Sequence, residues 1–236
     1  MFKKILLSLI IISTHSIAEE SSAIKNLNSI FGTTNIEKTP FKGVYEVIMQ
    51  DPIQSFFVSA DGQYLIQGDI IDLTTRQKMS NSGKVQQLKK SLLDSVKDKD
   101  KIIYPAKDEK YVVHVFTDVD CPFCKKLHAQ MPKMNTLGIT VKYLAAPLAS
   151  LHPKAQGKME KIWCAKDRKK AMHNYKAKNI MPNSDDCENP VTQQLLLSQQ
   201  LGVNGTPAIF LSDGTHFPGY MPANRLLQAI KRTLGK

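Results

Sequence analysis

Apolar and polar residues follow two rhythms along this chain, and the switches between them mark its parts. In Glu19–Phe31, the residues Ile24, Leu27, Ile30 and Phe31 recur at helical spacing with Gly32 behind them, which predicts a short amphipathic helix. The rhythm then shortens. Val44–Met49 and Phe56–Ser59 are rich in β-branched and aromatic residues, and Asp61-Gly62 separates the second run from Tyr64–Gly68 as a hairpin turn would. Ile70–Leu73 continues the β pattern. An α+β segment of about sixty residues with so little apolar material is expected to bury a surface against a partner.

Helical spacing returns over Asn81–Lys99, where Val85, Leu88, Leu92 and Val96 stand among Lys, Gln, Ser and Asp. A polar helix with a thin apolar stripe between two β-rich parts reads as a linker helix. From Ile102, strands and helices alternate. Tyr111–Phe116 is a strand, Pro122–Met134 a helix that Pro132 bends or ends, Ile139–Leu144 a strand, and Lys154–Lys178 a strongly basic helical stretch. Val191–Leu201 is a helix closed by Gly202. Pro207–Leu211 and Thr215–Pro218 are strands around an Asp213-Gly214 turn, and Pro222–Leu234 is a last helix with Pro222 in its first turn. This is an α/β layout.

The first eighteen residues fit neither rhythm. Lys3 and Lys4 precede the apolar run Ile5–Ile12, and Ser16-Ile17-Ala18 supplies small residues behind it. This is the form of an export signal, with cleavage expected after Ala18. The run is far short of the roughly 20 residues a spanning helix needs. The expected organisation is a signal peptide at 1–18, an N-terminal domain at 19–80, a linker helix at 81–100 and an α/β domain at 101–236. In a Gram-negative source the mature chain would reside in the periplasm. The formal charge of +11 falls to +9 without Lys3 and Lys4. The lysines are scattered in short pairs such as Lys89-Lys90, Lys125-Lys126 and Lys169-Lys170, with no aromatic-interleaved basic tract. A solvated basic surface is expected, not a nucleic-acid site.

An exported chain changes what its four cysteines mean. Cys121, Cys124, Cys164 and Cys187 allow three pairings, and a chain of this length buries a core without staples. Cys121-Pro122-Phe123-Cys124 stands at a strand-to-helix junction. A zinc site needs two further ligands, usually a second close pair, and Cys164 and Cys187 have no Cys or His at such spacing. An inert disulfide in so short a ring constrains little unfolded-chain entropy. Redox chemistry accounts for the position. Just before the first turn, the unpaired N–H groups and the helix dipole stabilise a Cys121 thiolate, which makes it the attacking sulfur. Cys124, one turn on and more buried, is the resolving thiol. Pro122 suits the first turn, and Phe123 adds no titratable group.

The stretch FTDVDCPFCKKLH, with Val203–Ala208, resembles the thioredoxin superfamily. With DGQYLIQGDIID, LGITVKYLA, IWCAKD, GVNGTPAIFLSDGT and PGYMP, the resemblance narrows to the DsbC/DsbG family of periplasmic thiol:disulfide interchange proteins, over essentially the whole mature chain. IWCAKD and GTPA are closest to the DsbC side. The resemblance implies an α+β N-terminal dimerisation domain, a linker helix and a thioredoxin-like domain with a helical insertion. It implies a V-shaped homodimer that acts on misfolded, disulfide-containing exported proteins, is kept reduced by a membrane reductase of the DsbD type, and needs no metal or cofactor. It places Pro207 in the cis form against the CxxC, gives the Thr206 backbone to the substrate, and pairs Cys164 with Cys187 as a structural disulfide. The Pro122-Phe123 dipeptide departs from the Gly-Tyr frequent in DsbC and stands nearer the Pro-Tyr of DsbG. The expected function is disulfide isomerase and reductase. A DsbG-like reductase of protein sulfenic acids and a redox-independent chaperone are the alternatives.

Other residues carry less. Thioredoxins have a buried acid on the strand before the CxxC, where this chain has Val115. Asp118 and Asp120 are expected to line the loop without acting as a base. His128 is expected on the surface, Trp163 in the core, and Met49, Met131 and Met221 as gap-fillers.

Overall fold

A computed structural model of the protein describes residues 14–68, 70–74 and 82–235. The lysines and apolar run of the expected export signal lie outside these residues, as do Asp69 and the first residue of the expected linker helix. The described residues fall into two units, one within Met1–Met49 and Ser55–Asn81, the other within Gln50–Gln54 and Ser82–Lys236. Among the described residues no helix is long and apolar enough to cross a membrane.

The first unit sets helix α1, Thr14–Phe31, against a sheet of β1 (Ile36–Lys38), β2 (Val44–Gln50), β3 (Ile53–Ser59) and β4 (Leu65–Ile66), ordered as in the chain. Ala23 and Leu27 pack with Ile36, Tyr45, Val47 and Val58. The buried stripe runs through Ala23 and Leu27, with Ile24 and Phe31 partly buried against it, so Ile30 falls beside it and is 51% exposed, against the sequence expectation. The Asp61-Gly62 turn forms as expected. Gly62 takes a positive φ of 74°, and Asp61 accepts the Gln63 N–H at 3.0 Å. The strand expected over Tyr64–Gly68 contracts to two residues, and Ile70–Leu73 contributes a single bridge at Ile71. Leu73 is 88% exposed. A β pattern becomes a strand only where a neighbouring strand takes its hydrogen bonds, and beyond β4 the described residues carry only the bridge at Ile71.

Helix α2, Ser82–Ser95, joins the two units in sequence and packs on the second one. Leu93, outside the predicted stripe, is fully buried among Phe116, Leu144 and Phe210. The second unit is a five-stranded sheet of order β5-β7-β6-β8-β9, made of β5 (Ile102–Tyr104), β6 (Tyr111–Thr117), β7 (Ile139–Ala145), β8 (Ala208–Leu211) and β9 (His216–Pro218). Only β6 and β7 run parallel. One face carries Val113, Val115, Val141, Tyr143 and Ile209; the other carries Phe116, Leu144 and Phe210, with α2 and α7 (Val191–Gln200) over it. Gly214 turns β8 into β9 with φ +92°, and a Cβ there would collide with the Gln86 carbonyl of α2. Only glycine fits such an approach.

Helices α3 (Pro122–Ala129) and α4 (Met131–Thr136) follow β6, with the break at Gln130 that Pro132 imposes. The basic stretch expected as one helix is two, α5 (Ala155–Cys164) and α6 (Arg168–Lys178). Ala165 is extended, and the Asp167 side chain accepts the Lys170 N–H at 2.9 Å, capping a new helix. These two helices form the insertion. Helix α8, Ala223–Thr233, closes the chain over Leu226 and Ile230. Trp163 is buried, with its Nε1–H donated to the Asp100 carbonyl at 2.9 Å.

Candidate active site

Strand β6 delivers the site. Its last residue, Thr117, pairs with Ala145 of β7, and the loop Asp118–Asp120 then turns into α3. Cys121 is the residue before that helix, extended at φ −63° and ψ 122°, and its carbonyl accepts the first helical bond from Lys125 at 3.1 Å. Pro122 occupies the first turn, where a missing N–H costs nothing. Cys121 and Cys124 are both free and both buried. Phe123 stands exposed between them, with the Lys126 ammonium 5.3 Å from its ring centroid.

The two thiols differ in kind. Cys121 is pushed down to about 5, first by a hydrogen bond from the Cys124 thiol, against the cost of burial, and then by hydrogen bonds from Thr206 and the N–H groups of Cys124 and Phe123. Cys124 is pushed well up, by burial first and by Cys121 next. One sulfur is an anion near neutral pH and the other keeps its proton.

The peptide Thr206-Pro207 is cis and precedes β8. The Thr206 carbonyl lies 3.3 Å from Cys121 Sγ. The structure thus brings together Cys121, Cys124, Pro122, Phe123, Thr206 and Pro207. Cys164 and Cys187 lie elsewhere and are bonded to each other, tying the end of α5 to the segment before α7.

The loop carboxylates are occupied. Asp118 is fully buried and accepts the N–H groups of Asp120 at 2.7 Å, Cys121 at 3.3 Å and Leu148 at 2.8 Å, with His152 Nδ1 at 3.0 Å. It clamps the active-site loop to the chain after β7. Asp120 takes Lys158 at 2.8 Å and the Tyr175 hydroxyl at 2.6 Å. Burial would raise its carboxyl, but those two bonds prevail and hold it below the usual range.

Two residues overturn the sequence expectation. His128 is 3% exposed, not on the surface; its Nδ1 is 3.2 Å from the Tyr143 hydroxyl and its Nε2 3.1 Å from His173 Nδ1. Burial, with Lys176 and His173 nearby, pushes it down to about 3, so it is neutral. Lys176, read as part of a solvated basic helix, is 5% exposed and donates to Thr117 Oγ1 and the Asp118 carbonyl. Its signal is present in the sequence. Ala171, Met172, Tyr175 and Lys176 share one face of α6, and three of those four are not charged.

Two free, unequal thiols at a helix start, beside a cis X-Pro bond on a central β-sheet, define a thioredoxin-like thiol–disulfide oxidoreductase. Residues 97–234 match the family described as thioredoxin-like domain, and residues 14–81 the family described as disulfide bond isomerase protein N-terminal domain. The chain is 38% identical to the thiol:disulfide interchange protein DsbC of Escherichia coli over 211 residues, 86% of this chain and 85% of that protein. It is 37% identical to DsbC of Haemophilus influenzae over 233 residues, 98% of this chain and 99% of the relative. The crystal structure of a disulfide interchange protein from Neisseria gonorrhoeae superposes with a TM-score of 0.54 at 36% identity, covering 58% of this chain and 97% of that one. The chain belongs to the DsbC family of thiol:disulfide interchange proteins.

Proposed function

We propose that this protein rearranges wrong disulfides in exported proteins, with Cys121 as attacking and Cys124 as resolving sulfur. The observation that carries this is the split between the two thiols, an anionic Cys121 against a protonated, buried Cys124. The Cys121 thiolate attacks one sulfur of a substrate disulfide. The Cys121–substrate bond forms and the other substrate sulfur leaves as a thiolate. If a substrate thiolate then attacks the mixed disulfide, a new substrate disulfide forms, Cys121 is released, and no net electrons move. If Cys124 attacks instead, the substrate leaves reduced and Cys121–Cys124 is oxidised. The pair then needs two electrons from a membrane reductase of the DsbD type. In this reading the Thr206 backbone aligns the substrate chain beside Cys121, Pro207 borders it, Pro122 and Phe123 tune the potential, and Cys164–Cys187 is structural.

The protein works as a homodimer through the first unit. Tyr64, Leu65, Ile66, Ile71 and Leu73 are all exposed there, a run of apolar side chains beside a short edge strand. Its place of action is the periplasm, after removal of residues 1–18.

The test is reactivation of scrambled ribonuclease in glutathione buffer by the mature protein and by Cys121→Ser. Reactivation that disappears in the variant is expected. No reactivation by the unmodified protein, with Cys121 still reactive, would overturn the isomerase reading in favour of a reductase of sulfenic acids, as the Pro122-Phe123 dipeptide would then suggest.

A further inference from the structure

Cys121 lies between two lips of unlike character. One is the cis-proline loop, Val203–Ala208, with Phe217–Pro222 beside it, because Ala208 pairs with Pro218. Neither stretch contains Asp, Glu, Lys, Arg or His. The other lip is made by the Asp118–Asp120 loop, α3 and the insertion, and it is charged.

The carboxylates of the charged lip are occupied. Asp118 is fully buried among three N–H groups and His152. Asp120 is matched by the Lys158 ammonium at 2.8 Å and the Tyr175 hydroxyl at 2.6 Å. Two lysines of α3 are not matched. Side chains on a helix lean toward its N-terminus, so Lys125 and Lys126 lean back over the turn that begins at Cys121. Lys125 donates its backbone N–H to the Cys121 carbonyl at 3.1 Å. Its ammonium donates to the Asn179 amide oxygen at 2.7 Å and lies 5.6 Å from the Tyr175 ring centroid. Lys126 is exposed, and its ammonium lies 5.3 Å from the ring centroid of Phe123, itself 54% exposed two residues after Cys121. An amide oxygen and an aromatic face hold a cation in place without cancelling its charge. Among the described residues neither ammonium forms an ion pair.

We propose that Lys125 and Lys126 make this site selective for disulfides flanked by carboxylates, in substrate segments that carry an acidic residue beside the cysteine. Two held positive charges draw such a segment to Cys121 and repel one whose cysteine adjoins lysine or arginine. The exposed Phe123 ring gives the same segment an apolar contact, and the uncharged lip at Thr206 leaves its other side indifferent to charge. The selection acts on the encounter and the bound complex, before the exchange of bonds written above. Lys125 and Lys126 are specificity-determining residues and touch no reacting atom. The inference rests on the reading of Cys121 as the attacking sulfur.

Two readouts on the reduced mature protein test it. The first is the ratio of the alkylation rates of Cys121 by iodoacetate and by iodoacetamide, with the label located by peptide mass mapping. Changes in thiolate fraction cancel in that ratio. The second uses two symmetric peptide disulfides, alike except that glutamate or lysine adjoins the cysteine, each rate divided by the rate of the same peptide with dithiothreitol. At low salt each lysine is expected to favour the anionic reagent by about two- to threefold, the effect of one charge several ångströms away in water. Lys125→Gln and Lys126→Gln should each lower both preferences by about that factor, and the double variant by about the product. Lys126→Glu should lower them further, Lys126→Arg should keep them, and high salt should level them. Unaltered ratios in the double variant, or equal rates with the two peptides in the unmodified protein, would overturn the selectivity. A loss in Lys126→Arg as large as in Lys126→Gln would overturn it too, because packing and not charge would then be at work. A Cys121 inert to both alkylators would overturn the attacking role of that sulfur, and this inference with it.

Discussion

Cys121 shows how far a single side chain can be moved by its neighbours. A free thiol titrates near 8.5; this one is pushed down to about 5 because Cys124, Thr206 and two backbone N–H groups all stabilise the anion. The sign follows. Above about pH 6 the thiolate is complete and reactivity is flat, and below pH 5 the sulfur is protonated and reactivity falls. Alkylation by iodoacetamide should therefore reach half its maximal rate near pH 5. Cys124→Ser should shift that midpoint, because the largest stabilising bond is altered, and a midpoint near 8 in the unmodified protein would refute this account of the site. The residue scale was partly legible. A cysteine before a proline-led helix start announces its chemistry locally, since the cap and dipole come from adjacent residues. His128 announced nothing, and Lys176 announced itself only by sharing a face of α6 with Ala171, Met172 and Tyr175, because a histidine or lysine on a helix is exposed or buried according to what covers that face.

Elements were legible where a periodic run also found a partner. Strands β6 and β7 form where the β-branched runs predicted them, because both faces of that sheet are covered. The same reasoning failed at Ile70–Leu73, where apolar residues exist but pair only through a single bridge at Ile71. It missed β1, whose three residues are too short for any periodicity. It merged α5 and α6, because Asp167 is hidden as a cap within a basic stretch. The disulfide between Cys164 and Cys187 closes a loop across this insertion, at a sequence separation of 23. Replacing both cysteines by alanine should cost about 3 kcal/mol by the loop-entropy relation. Urea unfolding measures it, and reactivity at Cys121 should survive in the folded fraction. Loss of Cys121 reactivity in a folded variant would show that the bond shapes the site as well as the stability.

At the scale of the whole molecule, the first unit exposes a set of apolar side chains that a stable monomer rarely displays together. Sedimentation of the mature protein should give twice the chain mass. Leu65→Asp, on the edge strand β4, should shift the molecule toward monomer by placing a charge in the contact. Such a monomer should keep the reactivity of Cys121 and lose most of the reactivation of scrambled ribonuclease. A monomeric unmodified protein, fully active, would sink the homodimer.

By itself the sequence determined the α+β and α/β order of the chain and the place of the CxxC, because secondary structure and helix capping depend on residues a few positions apart. Its motifs also led to the family. Tertiary structure alone decided that Asp118 is a clamp and that Lys176 lies buried. Those properties depend on desolvation and on hydrogen bonds between residues distant in the chain: Asp118 with His152, Lys176 with Thr117. A lysine on an apolar helix face hints at burial, but the fold decides what covers that face.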